Sequence, residues 1–359
     1  NVGDARSPWP RSSRSSAIAS ERASCSRPLL ISECMSWLWT AGSPVRVATF
    51  STFKSLVETA GLELEQGTPT LESLGLVRNP HLQVGGERNA KERVRTFLRS
   101  TLANYETGRD RMDVVGTSRL SADLKFGTLS VRSLWHALER EPETSSRAKY
   151  MGELAWREFS HACLFHRPSL LSKPFRPEFE GFPWQTDRAN YAAWEKGLTG
   201  YPVVDASARQ LLREGYVHNR ARMISASFLT KHLLTDYKLG EAHYLAYLTD
   251  GDWAQNNAGW QWSAGCGCDA QPYFRVFNPV TQGEKFDPDG TYVRTHVPEL
   301  GKLDAKYIHA PWTAPSDVLA RAGVVLGATY PRPIVDHKTA RDRFLRAAKD
   351  HLTSRARVP

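Results

Sequence analysis

A chain of 359 residues can bury one large core or two smaller ones. Its hydrophobic content of 41% and charged content of 24% are ordinary for a globular protein. No apolar run reaches the ~18 residues that a membrane helix needs, so we expect no membrane partner. The formal charge of +9 and the eleven tryptophans are compatible with nucleic acid, although a merely basic enzyme surface is the more common reason for such a charge.

The cysteines argue against a secreted disulfide scaffold. There are five, an odd number scattered over a long chain, which is typical of a reducing compartment. Cys266 and Cys268 are one residue apart, which is not the usual spacing of zinc ligands, so we interpret them as small loop residues. We therefore expect a cytoplasmic protein without a metal ion, and we expect it to be a monomer.

Residues 1–43 differ in composition from the rest of the chain. They are rich in Ser, Arg and Pro and have no periodicity, which indicates a disordered or unrelated leader. Five arginines against three acidic residues give this leader a charge of +2 (5 − 3), so +7 (9 − 2) belongs to the body.

From about residue 87 the hydrophobic pattern is helical. Val94, Phe97 and Leu98 recur at helical spacing, and Gly108 follows the end of that run. Since no segment alternates with period two, the pattern predicts an all-α body, with long loops at 167–206 and 253–300. The predicted helices cover residues 87–107, 129–141, 148–166, 207–215, 219–237 and 240–251.

Residues 253–279, WAQNNAGWQWSAGCGCDAQPYFRVFNP, are unusual for an enzyme. They hold three tryptophans and two adjacent asparagines. They contain no Ser-His-Asp set and no pair of carboxylates at catalytic spacing, and they do not resemble an amphipathic helix. The stretch therefore offers aromatic surface without acid–base chemistry.

Six segments occur in a characteristic order and spacing. They are TSRLSADLKFGTLSVRSLWHAL (117–138), GELAWREF (152–159), TGYPVVDASARQL (199–211), GYVHNRARMISASFLTKHLL (215–234), DGDWAQNNAGWQW (250–262) and DAQPYFRVFNPVTQGEKFDPDGTYVR (269–294). Together they resemble the flavin-binding helical domain of the cryptochrome/photolyase family, with details similar to class I cyclobutane pyrimidine dimer photolyases. The resemblance runs from about Pro44 to about Asp336.

The resemblance implies a domain organisation. Residues 44–86 resemble the linker into the helical domain, residues 87–336 would bind FAD and the DNA lesion, and residues 337–359 would form a C-terminal helix or tail. The family also has an N-terminal α/β domain that can hold an antenna chromophore. The residues before the linker are too few for such a sheet, so we expect no folate or deazaflavin antenna in this chain.

For FAD, the resemblance implies a set of contacts around the diphosphate, the ribose and the isoalloxazine. Thr117–Ser121 precede a predicted helix and suit a phosphate, although a helix cap explains them as well. Arg222 and Asp250 would form a buried pair whose cation favours the reduced flavin. The implied cofactor residues are Tyr105, Thr117, Ser118, Arg119, Leu120, Ser121, Asn219, Arg222, Asp250, Asp252 and Asn256.

Asn256 matches the position that faces flavin N5 in the family. An amide can hydrogen-bond that nitrogen whether or not it is protonated. Asn at this position favours a repair enzyme over a cryptochrome. An asparagine at a turn is the ordinary alternative for an isolated Asn.

For the lesion, the resemblance implies a cavity that receives a flipped dimer. Trp156 and Trp262 would form its walls, Glu153 would hydrogen-bond the thymine edges, and Met223 would pack on the dimer. The resemblance also implies three arginines that face the DNA backbone: Arg109, Arg220 and Arg275.

Electron supply in the family runs through three tryptophans. Trp260 and Trp184 match the proximal and distal positions, whereas the middle position holds Tyr237. An oxidised tyrosine normally loses its proton, so this replacement puts fast photoreduction in doubt. Trp253 and Trp194 offer a possible detour.

The leading hypothesis is therefore a light-driven lyase that repairs cyclobutane pyrimidine dimers in damaged DNA with FAD. A cryptochrome-like blue-light photoreceptor is one alternative, which the Tyr237 replacement favours and the expected lack of a long C-terminal signalling tail disfavours. A truncated inactive fragment is another, because the first domain is expected to be missing.

Overall fold

The computed structural model describes residues 73, 75, 77–270 and 272–355. The chain divides into two compact units, Asn1–Arg78 and Asn79–Pro359. The predicted leader (1–43), the linker up to residue 72 and two of the five cysteines, Cys25 and Cys34, lie outside the described residues.

The secondary structure in the described part of the second unit is helical, with connecting loops. Its α-helices, in chain order, are α1 (Glu87–Thr96), α2 (Tyr105–Gly108), α3 (Ser121–Lys125), α4 (Val131–Glu139), α5 (Ser145–His166), α6 (Arg188–Lys196), α7 (Pro202–Glu214), α8 (Asn219–Ser227), α9 (Tyr237–Tyr247), α10 (Trp253–Ala264), α11 (Pro279–Phe286), α12 (Thr291–His296), α13 (Ala305–Ile308), α14 (Ser316–Ala322) and α15 (His337–Arg355). Phe97–Thr101 and Phe228–His232 are π-helical turns, and short 3₁₀ turns cover Leu102–Asn104, Pro168–Leu171, Pro177–Phe179, Pro298–Leu300 and Pro311–Thr313.

The predicted all-α body is confirmed. Apart from one isolated bridge between Leu326 and Tyr330, the described residues form no strand pairing. Within these residues no helix is both long enough and apolar enough to cross a membrane.

The two predicted long loops are shorter than expected, and their bounds are wrong. The range 167–206 contains α6 and the first turn of α7, and the range 253–300 contains α10, α11 and α12. The buried face of helix α10 includes the polar residues Asn257 and Gln261, whereas Trp253 is exposed, so hydrophobic periodicity could not reveal the helix. Its end signals are nevertheless in the sequence: Asp252 accepts a hydrogen bond from the Gln255 amide at 2.9 Å, and Gly265 closes the helix at φ 90°.

The predicted helix 219–237 is also interrupted. Helix α8 continues into a π turn, and Leu234 then adopts a left-handed φ of 55°. Asp236 caps α9 by accepting from the Lys238 amide at 3.0 Å. Tyr237 therefore begins a new helix instead of ending an old one.

Two hydrophobic clusters hold the unit together. The larger one contains Trp194, Phe228, Tyr237 and Trp260 from the middle of the chain, with Phe344 of α15. The smaller is built from α1 to α5 and comprises Phe97, Leu102, Tyr105, Leu120, Leu134, Leu138, Tyr150 and Leu154. Both clusters contribute residues to one cleft, which is the candidate site.

A buried carboxylate fixes the start of α7. Asp205 is fully buried and accepts hydrogen bonds from Thr199 Oγ1 at 2.6 Å and from Tyr330 Oη at 2.7 Å. Gly200 in this turn has φ 80°, and an added Cβ would lie 2.4 Å from the Arg332 carbonyl carbon. The TGYPVVD motif therefore stabilises the start of α7.

Candidate functional site

A cleft of about 620 Å³ is lined by α5, α8, α10 and the segment 117–121. The structure brings most of the sequence-predicted site residues into its lining. These are Tyr105, Arg109, Thr117, Ser118, Arg119, Leu120, Ser121, Glu153, Trp156, Asn219, Arg222, Met223, Asp250, Asp252, Asn256, Trp260 and Trp262. Four predicted residues lie outside the lining: Tyr237, Trp184, Arg220 and Arg275.

Helix α5 supplies one wall of the cleft. The Thr144 side chain caps it by accepting from the Arg147 amide at 3.1 Å. Glu153, Trp156 and Ser160 follow at spacings of three and four residues, so they share one helix face. Trp156 is 50% exposed and meets the Phe159 ring edge-on at 5.4 Å. An exposed indole in a cleft wall leaves a flat apolar face for a ligand.

Arg222 and Asp250 form the expected ion pair. Arg222 Nη2 lies 3.0 and 2.7 Å from the two carboxylate oxygens, and Arg222 Nε donates to the Val217 carbonyl at 2.8 Å. Burial opposes the charge of Arg222, but the Asp250 charge and hydrogen bonds outweigh it and raise its pKa. No described residue accepts a hydrogen bond from Nη1, which leaves that donor for a ligand.

Asn256 lies on α10, so it is not a turn residue. Its Nδ2 donates to the main-chain carbonyl of Glu241 at 2.9 Å. Because that contact fixes which end of the amide is the donor, Oδ1 is the end left for the cleft. Ala258 and Gly259, the next residues but one along the chain, are likewise helical.

Glu153 and Arg109 are partners. Arg109 Nη1 donates a hydrogen bond to Glu153 Oε1, and the guanidinium lies 5.6 Å from the centre of the Tyr105 ring. The Arg109 guanidinium therefore occupies one of the two carboxylate oxygens of Glu153. Arg109 therefore faces the predicted lesion residue directly.

The other two predicted DNA arginines are not in the cleft. Arg220 Nη2 pairs with Asp110 Oδ2 at 2.7 Å, and its guanidinium lies 4.3 Å from the centre of the Phe286 ring. Arg275 is exposed, and its main-chain carbonyl accepts from Lys231 Nζ at 2.8 Å. Their contact with DNA stays a prediction.

The segment 117–121 forms a polar end of the cleft. Ser118 Oγ accepts from Tyr150 Oη at 2.9 Å, which ties the segment to α5. Arg119 adopts a left-handed φ of 50°, and its Nη2 pairs with Glu214 Oε2 at 2.9 Å. Its guanidinium also lies 4.1 Å from the centre of the Tyr216 ring. A phosphate could meet the hydroxyls of Thr117 and Ser121 here.

The three aromatic residues expected to supply electrons are in the large core cluster or packed on it. The Tyr237 and Trp184 ring centres are 6.4 Å apart. Tyr237 is buried, its hydroxyl has no hydrogen-bond partner among the described residues, and burial raises its pKa. The Trp194 and Trp260 ring centres are 6.0 Å apart, so Trp194 contacts the cleft residue Trp260.

Sequence reasoning missed a buried amide network behind α10. Asn257 Nδ2 donates to Glu241 Oε1 at 3.0 Å, and Gln261 Nε2 donates to Asn257 Oδ1 at 3.0 Å and to the Leu170 carbonyl at 3.1 Å. Burial raises the pKa of Glu241. The i, i+4 spacing of the two amides was the available signal.

The described cysteines carry free thiols. Cys266 is buried, Cys163 and Cys268 are partly buried, and the latter two line the cleft. Across the described residues no cluster of His, Cys, Asp and Glu side chains is arranged to hold a metal ion.

Residues 150–350 match the family described as the FAD binding domain of DNA photolyase. The chain belongs to this family. A deoxyribodipyrimidine photo-lyase of Agrobacterium fabrum is 50% identical over 265 residues, which are 73% of this chain and 55% of that protein. The chain thus spans about half the length of this photolyase relative.

Two solved structures in the photolyase and cryptochrome group have similar folds. A bacterial class III photolyase from Agrobacterium tumefaciens matches with a TM-score of 0.72 and 49% identity, covering 74% of this chain and 56% of that one. A Synechocystis cryptochrome matches with a TM-score of 0.72 and 29% identity, covering 83% and 68%. The class I assignment stays a prediction, since the first of these photolyases is of class III.

Proposed function

We propose that this chain carries out light-driven repair of cyclobutane pyrimidine dimers in DNA, as a deoxyribodipyrimidine photo-lyase. The observation that carries the proposal is one cleft that joins the Arg222–Asp250 ion pair to the two tryptophans Trp156 and Trp262. Bound reduced FAD would supply the chemistry, which is one electron given to the dimer under light and then returned.

The cleft fits FAD in its size and in its polar groups. Its volume of about 620 Å³ is in the range of cofactor sites. The Arg222 Nη1 donor and the Asn256 Oδ1 acceptor are left for a ligand, and these are the groups that would orient a flavin ring. The hydroxyls of Thr117 and Ser121 would bind its diphosphate.

The same cleft fits a flipped dimer. Trp156 and Trp262 stand on different helices, so two indoles can hold a flat ligand from two sides. Arg109 holds the Glu153 carboxylate ready to accept hydrogen bonds from thymine N–H groups. Photolyases belong to the enzymes that take the damaged base out of the stack.

Repair by the purified chain tests the proposal. The FAD-loaded, photoreduced protein is incubated with an oligonucleotide that carries one thymine dimer, under blue light, and restored thymine is measured by chromatography. We expect repair by the wild type and its loss in Trp262→Ala with FAD retained. Trp253→Ala is the matched control, because Trp253 lies on the same helix, is 58% exposed and is outside the cleft lining. FAD-bound wild type that restores no thymine would contradict the proposal.

DNA affinity gives a second test. The logarithm of the association constant for double-stranded DNA falls linearly with the logarithm of the salt concentration. If Arg109, Arg220 and Arg275 neutralise phosphates, each Arg→Gln variant should reduce the magnitude of this slope by about 1. Arg321→Gln is the control, since Arg321 is exposed on α14 and pairs with Asp317. An unchanged slope in all three variants would remove these arginines from the interface.

A light-sensing function is the second candidate. It is supported by the Tyr237 hydroxyl, which has no hydrogen-bond partner among the described residues and is a poor site for fast photoreduction, and by the similarity to a cryptochrome. A sensor would change its binding to a protein partner under light and would restore no thymines. The oligonucleotide assay above separates the two candidates.

We further propose the domain boundaries 44–86, 87–336 and 337–359, a monomer in the cytoplasm, and FAD as the single chromophore of this chain. Size-exclusion chromatography with light scattering tests whether the protein is a monomer. An absorption spectrum after FAD release tests for a second chromophore.

A further inference from the structure

Cys163 and Cys268 are two thiols of the cleft that the proposed repair function does not use. Cys163 lies on α5, two turns after Trp156, and Cys268 lies shortly after the end of α10. Both carry free thiols, both are partly buried, and both line the cleft. The two residues are therefore candidates for a chemistry that is separate from repair.

Helix α5 places Cys163 on the wall of the cleft. Trp156, Ser160 and Cys163 follow one another at spacings of four and three residues, so they share one face of the helix. All three residues line the cleft. The Cys163 thiol therefore belongs to the same wall as the exposed indole of Trp156.

The segment after α10 folds back on the end of that helix. The amides of Cys266 and Gly267 both donate to the Gln261 carbonyl, at 3.0 and 3.1 Å. Gly267 packs so closely that an added Cβ would lie 2.9 Å from the main-chain nitrogen of Trp262. This turn keeps the segment against the cleft, where Cys268 follows in the lining.

The two thiols meet across these elements. Burial raises the pKa of Cys163, and Cys268 raises it further through its charge and through a hydrogen bond between the two side chains. A hydrogen bond between two thiols places the sulfur atoms next to each other, which a disulfide requires. Cys266 differs from both, because it is buried and burial raises its pKa to about 12, which leaves it an inert thiol.

We propose that Cys163 and Cys268 form a redox-active thiol pair, which small disulfide compounds oxidise to a bond between α5 and the segment after α10. The inference goes beyond the proposed function and does not depend on which ligand the cleft binds. The bond would connect the helix that carries Trp156 to the segment that follows Trp262. It would therefore restrain the separation of the two indoles.

The chemistry is thiol–disulfide exchange. The thiolate of one cysteine attacks the small disulfide, forms a mixed disulfide and releases one small thiol. The thiolate of the other cysteine then attacks the protein sulfur of the mixed disulfide and releases the second small thiol. In total the two protein thiols lose two electrons and two protons, and the small disulfide is reduced to two thiols. A reducing compartment keeps the pair as thiols, and an oxidising one closes the bond.

Peptide mapping tests the bond on the full chain. The reduced protein is treated with oxidised glutathione, the remaining thiols are blocked with iodoacetamide, and tryptic peptides are analysed by mass spectrometry without reduction. We expect peptide 158–188 joined to peptide 239–275, with a mass lower by two hydrogens than the sum of the two. Because Cys266 shares the second peptide, Cys266→Ala should keep this cross-link and Cys268→Ala should abolish it.

Three results of the mapping would overturn the proposal. The first is separate glutathione adducts on Cys163 and Cys268 without a cross-link. The second is a cross-link that persists in Cys268→Ala, which would assign it to Cys266. The third is a bond from either residue to Cys25 or Cys34, the other two cysteines of the sequence.

Thermal unfolding tests whether the folded protein accommodates the bond. A bond between residues 163 and 268 closes a loop of 105 residues (268 − 163), so oxidation should raise the Tm of the wild type by roughly 5 °C or more. Cys163→Ser should have the same Tm after either treatment. A cross-linked wild type with a lower Tm than the reduced protein would also overturn the proposal, because the bond would then distort the fold.

Discussion

Asn256 and Glu241 are joined by a hydrogen bond from a side-chain amide to a main-chain carbonyl, at 2.9 Å. This contact connects α10 to α9 and orients the amide so that its oxygen is left for the cleft. Asn256, a residue of the proposed flavin site, therefore also holds two helices together.

Replacing Asn256 by Asp should weaken both roles. A carboxylate has no hydrogen to donate, so it would face the Glu241 carbonyl oxygen as a second acceptor. We expect a loss of roughly 1–3 kcal/mol in the free energy of unfolding, measured by urea denaturation at pH 7. Gln255→Glu makes the same chemical change at an exposed neighbour and should cost little. Equal stability of Asn256→Asp and wild type would show that the bond contributes nothing.

Gly240 is required by the packing of Trp260. A Cβ on Gly240 would lie 2.2 Å from Trp260 Cη2 and 2.7 Å from Leu229 Cδ2. Gly240→Ala should therefore lower the free energy of unfolding by roughly 1–3 kcal/mol. It should also shift the tryptophan fluorescence, because the Trp260 ring must move. Thermal unfolding and emission spectra measure the two effects.

Gly259→Ala is the control for this experiment. Apart from the adjacent residues and the backbone of its own helix, no described atom lies within 4 Å of a Cβ at Gly259, which is exposed on α10. Alanine there should stabilise the helix by roughly 0.5–1 kcal/mol. If both variants lose stability alike, crowding against Trp260 is not the cause.

Two buried tyrosines should respond in opposite ways to Tyr→Phe. The Tyr237 hydroxyl has no described partner, so its removal should leave the free energy of unfolding unchanged or higher. Tyr330 donates to the fully buried Asp205 at 2.7 Å, so Tyr330→Phe should cost roughly 1–3 kcal/mol or more. Chemical denaturation compares the pair. A large loss in Tyr237→Phe would point to a partner for the hydroxyl.

Lys231 should make stability depend on pH. Burial lowers its pKa to about 7, and its Nζ donates to the Arg275 carbonyl at 2.8 Å. The unfolded chain keeps this proton up to about pH 10.4, so between pH 7 and pH 10 it binds more protons than the folded chain. The free energy of unfolding should therefore rise with pH in this window, by up to about 4 kcal/mol.

Lys231→Met tests this window. In urea denaturation, the free energy of unfolding of this variant should no longer rise between pH 7 and pH 10. Lys238→Met is the control, since Lys238 also donates to a main-chain carbonyl, that of Ser172, but is exposed. A rise that persists in Lys231→Met would assign it to other groups.

Much of the fold was predictable because local signals are strong. Helices α1 and α5 have apolar residues at helical spacing, and Gly215 ends α7 at φ 58° as its position suggested. The order of motifs also predicted most of the cleft lining. Helix α10 was missed because its buried face carries polar residues such as Asn257 and Gln261, so hydrophobic periodicity does not mark it.

The sequence by itself determined the helical class and most helix positions, because periodicity and caps are local properties of the chain. Its resemblance to the photolyase family implied the residues that meet in the cleft. Only the tertiary structure decided which side chains become partners. The pairing of Arg109 with Glu153, of Asn256 with Glu241 and of His161 with Asp252 depends on how separate elements of the chain pack together. Those contacts orient the side chains of the site, and no local pattern encodes them.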